Sequence, residues 1–360
     1  MPTLTISDFT LESGVTLRDA PVAYQSWGQL NNRGDNAIVV CHALTGSTDV
    51  TDWWSDLIGP GRALDTDRFF VVCANALGSP YGTASPTTTN PATDQRYGPD
   101  FPSATPRDTV ALHRVLLARL GVQQAATAIG GSMGGMHVLE WAFERTDDGA
   151  PFVRSLVPIA VGGRHSAWCI GWSEAQRQAI YADPDWNNGH YKPDAPPAGG
   201  LASARMMAMI SYRSRPSFEE RFGRKRMTNG SPEGPFAAES YLRYQGEKLV
   251  DRFDANCYVS LTQQMDAHDV ARGRGDYNEV LQSITQPAFV IGIDSDVLYP
   301  LEEQRELAHA LPNGRLSVLS SPHGHDAFLI EQDALNNLLH PWLLVHADSA
   351  PASPSVEAQG

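Results

Sequence analysis

Ala126-Thr-Ala-Ile-Gly-Gly-Ser-Met-Gly-Gly-Met136 constrains this chain more than any other stretch. It opens as a short apolar run ending at Ile129. It passes through Gly130, Ser132 and Gly134, and it continues as a helix-type segment, His137-Val-Leu-Glu-Trp-Ala-Phe143. Glycine, serine and glycine at alternate positions fit the turn in which a strand bends sharply into a helix and pushes its middle side chain outward. That turn crowds the residues two places away, where only glycine avoids a clash, and it strains the backbone of the residue at its apex. The helix that follows aims its first N–H groups at the apex, where negative charge can be held. A chain built around such a turn is predicted to be α/β, with Ser132 as a candidate nucleophile.

Continuous apolar runs supply the strands such a sheet needs. Ala37-Ile-Val-Val-Cys41, Arg68-Phe-Phe-Val-Val-Cys73 and Pro287-Ala-Phe-Val-Ile-Gly-Ile293 read as buried strands, and Val153-Arg-Ser-Leu-Val-Pro-Ile-Ala160 as another strand. Leu316-Ser-Val-Leu319 is the last of them. Alternation within 1–27 predicts an N-terminal hairpin or meander. Residues 107–120 are an amphipathic helix closed by Gly121, and 301–311 another. The long loop 75–106 is predicted to be an ordered cover over the site, on the strength of Tyr81, Tyr97 and Phe101. Between 164 and 276 the strand–helix alternation breaks. Helical patterns at 172–181, 203–212 and 239–253 predict a helical lid inserted between two parts of one core, 1–163 and 277–346. Residues 326–345 read as a terminal helical region broken at Pro341, and 347–360 as a disordered tail.

A serine hydroxyl needs a base, and the base needs an orienting acid. After the turn these follow in the order Ser, Asp or Glu, His. Asp294 and Asp296 sit just past the strand ending at Ile293, and His323 and His325 just past the strand ending at Leu319. Both are strand C-termini, the edge where open α/β sheets carry their sites. Placement alone leaves Asp294 competing with Asp296 and His323 with His325. The oxyanion hole is predicted from the N–H of Met133 and that of Leu44, in the loop after the Val39-Val40 strand.

Composition excludes other functions. The formal net charge of −14, with no basic stripe, argues against nucleic acid, and lysine is scarce, at Lys192, Lys225 and Lys248 against many arginines. No apolar run is long enough to span a bilayer. The four cysteines, Cys41, Cys73, Cys169 and Cys257, lack metal-ligand spacing and read as buried thiols of a reduced, cytoplasmic protein. No P-loop, zinc cluster or dinucleotide fingerprint appears, so neither a metal nor a cofactor is expected.

Several further stretches carry a resemblance. They are His42-Ala-Leu-Thr-Gly46, Leu57-Ile-Gly-Pro-Gly61, Asn90-Pro-Ala-Thr93, Tyr97-Gly-Pro-Asp-Phe-Pro102, the turn itself with Leu139-Glu-Trp141, Tyr212-Arg213, Tyr244-Gln-Gly-Glu-Lys-Leu249, Ser295-Asp296, Leu298-Tyr-Pro300 and Gly324-His-Asp-Ala-Phe-Leu329. Running from about residue 40 to 330, they resemble the homoserine O-acetyltransferase family of α/β-hydrolase-fold acyltransferases. The resemblance implies an α/β-hydrolase fold, a mostly parallel central sheet flanked by helices, with the lid as an insertion. It selects Asp296 and His325 as partners of Ser132. It implies Arg205 for a substrate carboxylate, Asp326 for a substrate amino group, and Tyr212 as a lining residue. A zwitterion needs one fixed cation and one fixed anion, which this pair would supply. It further implies acetyl-CoA as co-substrate, L-homoserine as acceptor in methionine biosynthesis, ping-pong chemistry and a homodimer. Residues 164–181 are similar to the branch that includes fungal enzymes and deacetylcephalosporin C acetyltransferase. Succinyl-CoA as donor, serine as acceptor, hydrolysis by a serine esterase, and a non-catalytic binding protein of the same fold are the competing readings.

Overall fold

A computed structural model describes residues 1–227 and 234–347. Ten strands are present among them: β1 (Thr3–Thr10), β2 (Thr16–Trp27), β3 (Ala37–Cys41), β4 (Phe70–Ala74), β5 (Thr89–Asn90), β6 (Gln95–Arg96), β7 (Ala125–Gly131), β8 (Val153–Ile159), β9 (Ala288–Ile293) and β10 (Gly314–Leu319). Eight form one sheet in the order β1-β2-β4-β3-β7-β8-β9-β10, and β5 and β6 make a separate small hairpin. β1 and β2 pair antiparallel with Thr3 opposite Ala23, β2 is antiparallel to β4, and every later neighbour is parallel. Of the apolar runs, β3, β7 and β9 are buried at every position and β4 and β8 at all but one, whereas the edge strand β10 is buried only at Leu319. Chain order reverses between β3 and β7, because β4 lies on one side of β3 and β8 lies on the far side of β7. Ligands of open α/β sheets bind at the carboxyl ends flanking such a switch.

Helices Pro106–Arg119 and Met133–Trp141 pack against each other and cover one face. Thr105 caps the first in a reciprocal box with Asp108, and Gly121, at φ 88°, follows its end. The terminal helix Gln332–His346 packs on the other face through Leu335, Leu339, Trp342 and Leu343. It runs unbroken through Pro341, against the break expected there. A proline in a helix interior forfeits one hydrogen bond, and burial of the sheet-facing stripe on both sides of it outweighs that loss. Ala347, the first residue of the expected tail, instead belongs to the core, buried, with its carbonyl accepting from Arg154 Nη2 at 2.9 Å. The rest of that tail lies outside the described residues.

Between β8 and β9 the chain is helical, as expected. Its helices are Ala167–Tyr181, Ala198–Ser211, Arg215–Arg221, Ala237–Val250, Ala255–Asp266 and Tyr277–Gln282. The first begins five residues before the expected 172, capped by the Ser166 side chain. Arg215–Arg221 and Ala255–Asp266 were not foreseen. The second is buried at Ala255, Asn256, Cys257, Tyr258, Val259, Leu261, Thr262, Gln264 and Met265, and a helix covered on nearly all sides leaves no one-sided stripe to read. In the 75–106 loop, Tyr81 reaches the cleft described below. Tyr97 and Phe101 do not: they pair edge to face and pack on the core beneath the N-terminal hairpin.

Candidate active site

Ser132 ends the turn after β7 at φ 58°, ψ −125°, the strained conformation the glycine spacing predicts. The glycines are needed because β3 passes close by. A Cβ on Gly130 would lie 2.5 Å from the Cys41 carbonyl oxygen, and one on Gly134 would collide with the same atom. Gly131 and Gly135 are equally confined, against Phe328 and Val161.

Asp296 and His325 meet across the loops after β9 and β10, with Asp296 Oδ2 at 2.6 Å from His325 Nδ1. Both are buried. The other carboxylate oxygen, Oδ1, accepts from the N–H groups of Leu298 (2.8 Å) and Tyr299 (2.9 Å). The competitors have other work. Asp294 accepts from the Ser320 hydroxyl and the Ser321 N–H, and His323 faces Ser217 and Glu331. Burial alone would push the His325 imidazole down, but the Asp296 carboxylate overrides it and holds the ring above its ordinary value. Its ring is fenced by Tyr299, stacked at 5.2 Å, and by Tyr212 and Phe328. Its Nε2 is buried and without a hydrogen-bond partner.

Ser132 and His325 line one cavity of about 60 Å³ together with Leu44, Arg205, Tyr212 and Asp326. Met133 opens the helix directly after Ser132, and Leu44 lies in the loop after β3. That loop is held by His42, a residue the sequence did not single out. Its Nδ1 lies 2.8 Å from the Ala43 carbonyl, and its Nε2 accepts from the Ala76 N–H at 2.9 Å. These partners fix the tautomer with the proton on Nδ1, and burial pushes the ring's pKa down.

Arg205 sits on helix Ala198–Ser211 with its guanidinium 5.7 Å from the Tyr212 ring and its Nη1 buried without a partner. Asp326 receives the Arg213 guanidinium at 3.7 Å and bonds the Tyr212 carbonyl through its N–H at 3.0 Å. Burial raises the Asp326 carboxyl, and the cations of Arg205, His325 and Arg213 oppose that rise. Arg213 was not foreseen as a site residue; its guanidinium favours the charged form of the carboxylate beside it.

The small cavity shares Ala43, Thr45, Arg205 and Leu329 with a cleft of about 650 Å³, whose walls also carry Tyr81, Lys248 and Arg252. Arg252 is tied to the Thr45 carbonyl and the Tyr81 hydroxyl. Among the described residues, no cluster of His, Cys, Asp and Glu could hold a metal ion, and no helix is long and apolar enough to cross a membrane.

Sheet order, strained serine and acid–histidine pair define an α/β hydrolase-fold protein, and the family model of that fold matches residues 36–332. Within it the chain belongs to the homoserine O-acetyltransferase family. It is 68% identical over 340 residues to a homoserine O-acetyltransferase of Salinibacter ruber, covering 94% of this chain and 96% of that one. A solved homoserine O-acetyltransferase from Bacillus anthracis shares the fold at a TM-score of 0.87 and 22% identity, over 97% of this chain and 98% of that chain. Esterase E22 superposes at 0.85 with 26% identity, over 95% and 99% of the two chains.

Proposed function

We propose that this chain transfers an acetyl group from acetyl-CoA to the hydroxyl of L-homoserine, in methionine biosynthesis, through an acyl-serine. The observation that carries it is a single cavity with opposite charges, Arg205 and Asp326, beside Ser132 and His325. A nucleophile with its base would serve any ester. A fixed cation and anion next to them suit an amino acid's carboxylate and ammonium.

In the first half-reaction the Ser132 hydroxyl gives its proton to His325 Nε2 and attacks the thioester carbonyl. Asp296 steadies the imidazolium. The N–H groups of Met133 and Leu44 receive the oxyanion. The thiolate leaves and takes the proton from His325. In the second half the homoserine hydroxyl gives its proton to the same nitrogen and attacks the acyl-serine, and Ser132 recovers the proton as it leaves. Tyr212 walls the cavity. The helical insertion acts as a lid that leaves the cleft as approach, limiting competition from water. Lys248 and Arg252 on the cleft wall suit a phosphorylated donor. A homodimer and a cytoplasmic location belong to the same reading. The exposed Ile210 and Tyr244 on packed insertion helices support the first, and four free buried cysteines support the second.

The test is release of CoA from acetyl-CoA and succinyl-CoA with homoserine, with serine and with no acceptor. Release from acetyl-CoA that depends on homoserine, with parallel double-reciprocal lines, is expected. Equal release without acceptor would mean hydrolysis and would sink the transferase reading. Preference for succinyl-CoA or serine would keep the mechanism and change the substrate.

A further inference from the structure

The start of the helical insertion, Arg164-His-Ser-Ala-Trp-Cys169, has no part in the chemistry above. It grips three consecutive residues of the loop that carries Asp296. Trp168 Nε1 donates to the Val297 carbonyl at 2.8 Å. Cys169 Sγ lies 3.1 Å from the Leu298 carbonyl. His165 Nδ1 lies 3.1 Å from the Tyr299 hydroxyl. The same loop faces Asp296 on its other side, where the N–H groups of Leu298 and Tyr299 hold Oδ1. Tyr299 also supplies the ring stacked on His325.

His165 is itself braced. Its Nε2 lies 3.4 Å from Ser173 Oγ and 3.6 Å from Asp266 Oδ1, and Asp266 Oδ2 is paired with Arg177 Nη2 at 2.7 Å. With acceptors on the Nε2 side, the proton belongs there, and Nδ1 accepts from the Tyr299 hydroxyl. Burial first, then His268 and Arg177, push this ring down to about 3, so it stays neutral and keeps that tautomer near neutral pH.

We propose that His165, Trp168 and Cys169 are positioning residues for the reaction: they clamp loop 297–299 from the insertion side and thereby set the orientation of Asp296 and the ring plane of His325. A base misplaced by a fraction of an ångström loses rate without losing substrate affinity, because the groups that hold the amino acid lie elsewhere. The insertion is then part of the triad's mounting as well as its cover.

The assay rests on the acyl-transfer reading, so a second readout is included that needs only Ser132 and its base: the rate of labelling by a fluorophosphonate. Trp168→Phe removes one donor from an exposed side chain and keeps an aromatic ring there, so folding is not at risk. His165→Leu removes the acceptor for Tyr299, and His165→Asn restores a polar group near the Nδ1 position. Expected are a fall of about tenfold in kcat and in labelling rate for His165→Leu, a smaller fall for Trp168→Phe, an unchanged KM for homoserine, and partial recovery in His165→Asn. Parent-like kcat and labelling in Trp168→Phe and His165→Asn, with His165→Leu reduced only in proportion to its folded fraction, would overturn the clamp. So would a rise in homoserine KM at constant kcat. If the parent releases no CoA with homoserine yet labels normally, the substrate assignment fails while the labelling rates still decide the clamp.

Discussion

At the scale of single residues, the base is tuned by two opposing effects of similar origin. Withdrawal from water disfavours the charged imidazole of His325, and the neighbouring carboxylate favours it more strongly. His325 must be neutral to accept the serine proton, so activity is expected to fall on the acid side through a midpoint above the ordinary histidine value of about 6.5. Asp296→Asn removes the charge that raises the ring. The acid limb of kcat/KM is then expected to move to lower pH while kcat drops by about 10⁴, since the amide also favours the wrong tautomer. A pH–rate profile with an unmoved limb and a kcat within tenfold of the parent would show that Asp296 is not the orienting group. Placement after β9 and β10 left two aspartates and two histidines open, because both members of each pair share the same strand end. What separates them is hydrogen bonding across loops: Ser320 and Ser321 occupy Asp294, whereas Leu298 and Tyr299 turn Asp296 inward. No spacing rule encodes that.

At the scale of elements, the β-strands were legible because parallel strands buried on both faces are written as unbroken apolar runs. The turn at Ser132 was legible because its glycines answer to steric contacts with Cys41. The insertion was legible only as a region. Its helices pack on one another and on the core, so their polarity does not alternate cleanly. One contact there lies beside the part of the cavity that the proposed function gives to the amino acid. Gly246 on helix Ala237–Val250 touches Ala202 on helix Ala198–Ser211, and a Cβ would meet the Ala202 carbonyl oxygen at 2.9 Å and its Cβ at 3.0 Å. Arg205 projects from the same helix less than one turn further on. Gly246→Val is therefore expected to push this helix pair apart and shift Arg205 off the substrate carboxylate. The KM for homoserine should rise by about tenfold, equivalent to about 1.4 kcal/mol, while fluorophosphonate labelling of Ser132 stays near that of the parent. A variant that loses labelling and homoserine affinity in equal measure would show that Gly246 serves folding alone.

Across the whole molecule, the loops at the carboxyl edge of the sheet are fastened by histidines that work as neutral hydrogen-bonding groups. His42 joins the loop after β3 to Ala76, His113 bonds the Asn75 carbonyl, and His268 bonds the Gly162 carbonyl. His165 braces the loop that carries Asp296, and His137 is buried on helix Met133–Trp141. Burial is the leading cause in all of them. It pushes His113 and His268 down to about 4 and His165 to about 3, and it lowers His42 and His137 as well. The unfolded chain binds a proton at each of these sites near pH 6.5, and the folded chain does not. Their stabilisation is therefore complete above about 6.5 and is lost as pH falls toward the lower folded values. His325, whose folded value is raised, acts in the opposite sense, but it is one group against five. Carboxylates with raised values, such as Glu140 and Asp326, also oppose the trend, over a range that runs upward from their ordinary values near 4. The melting temperature is accordingly expected to fall steadily between pH 6.5 and 5. Thermal melts that stay level from pH 7 to 5 would mean that these histidines are solvated in the folded protein, and that the edge of the sheet is held by something other than their neutral rings.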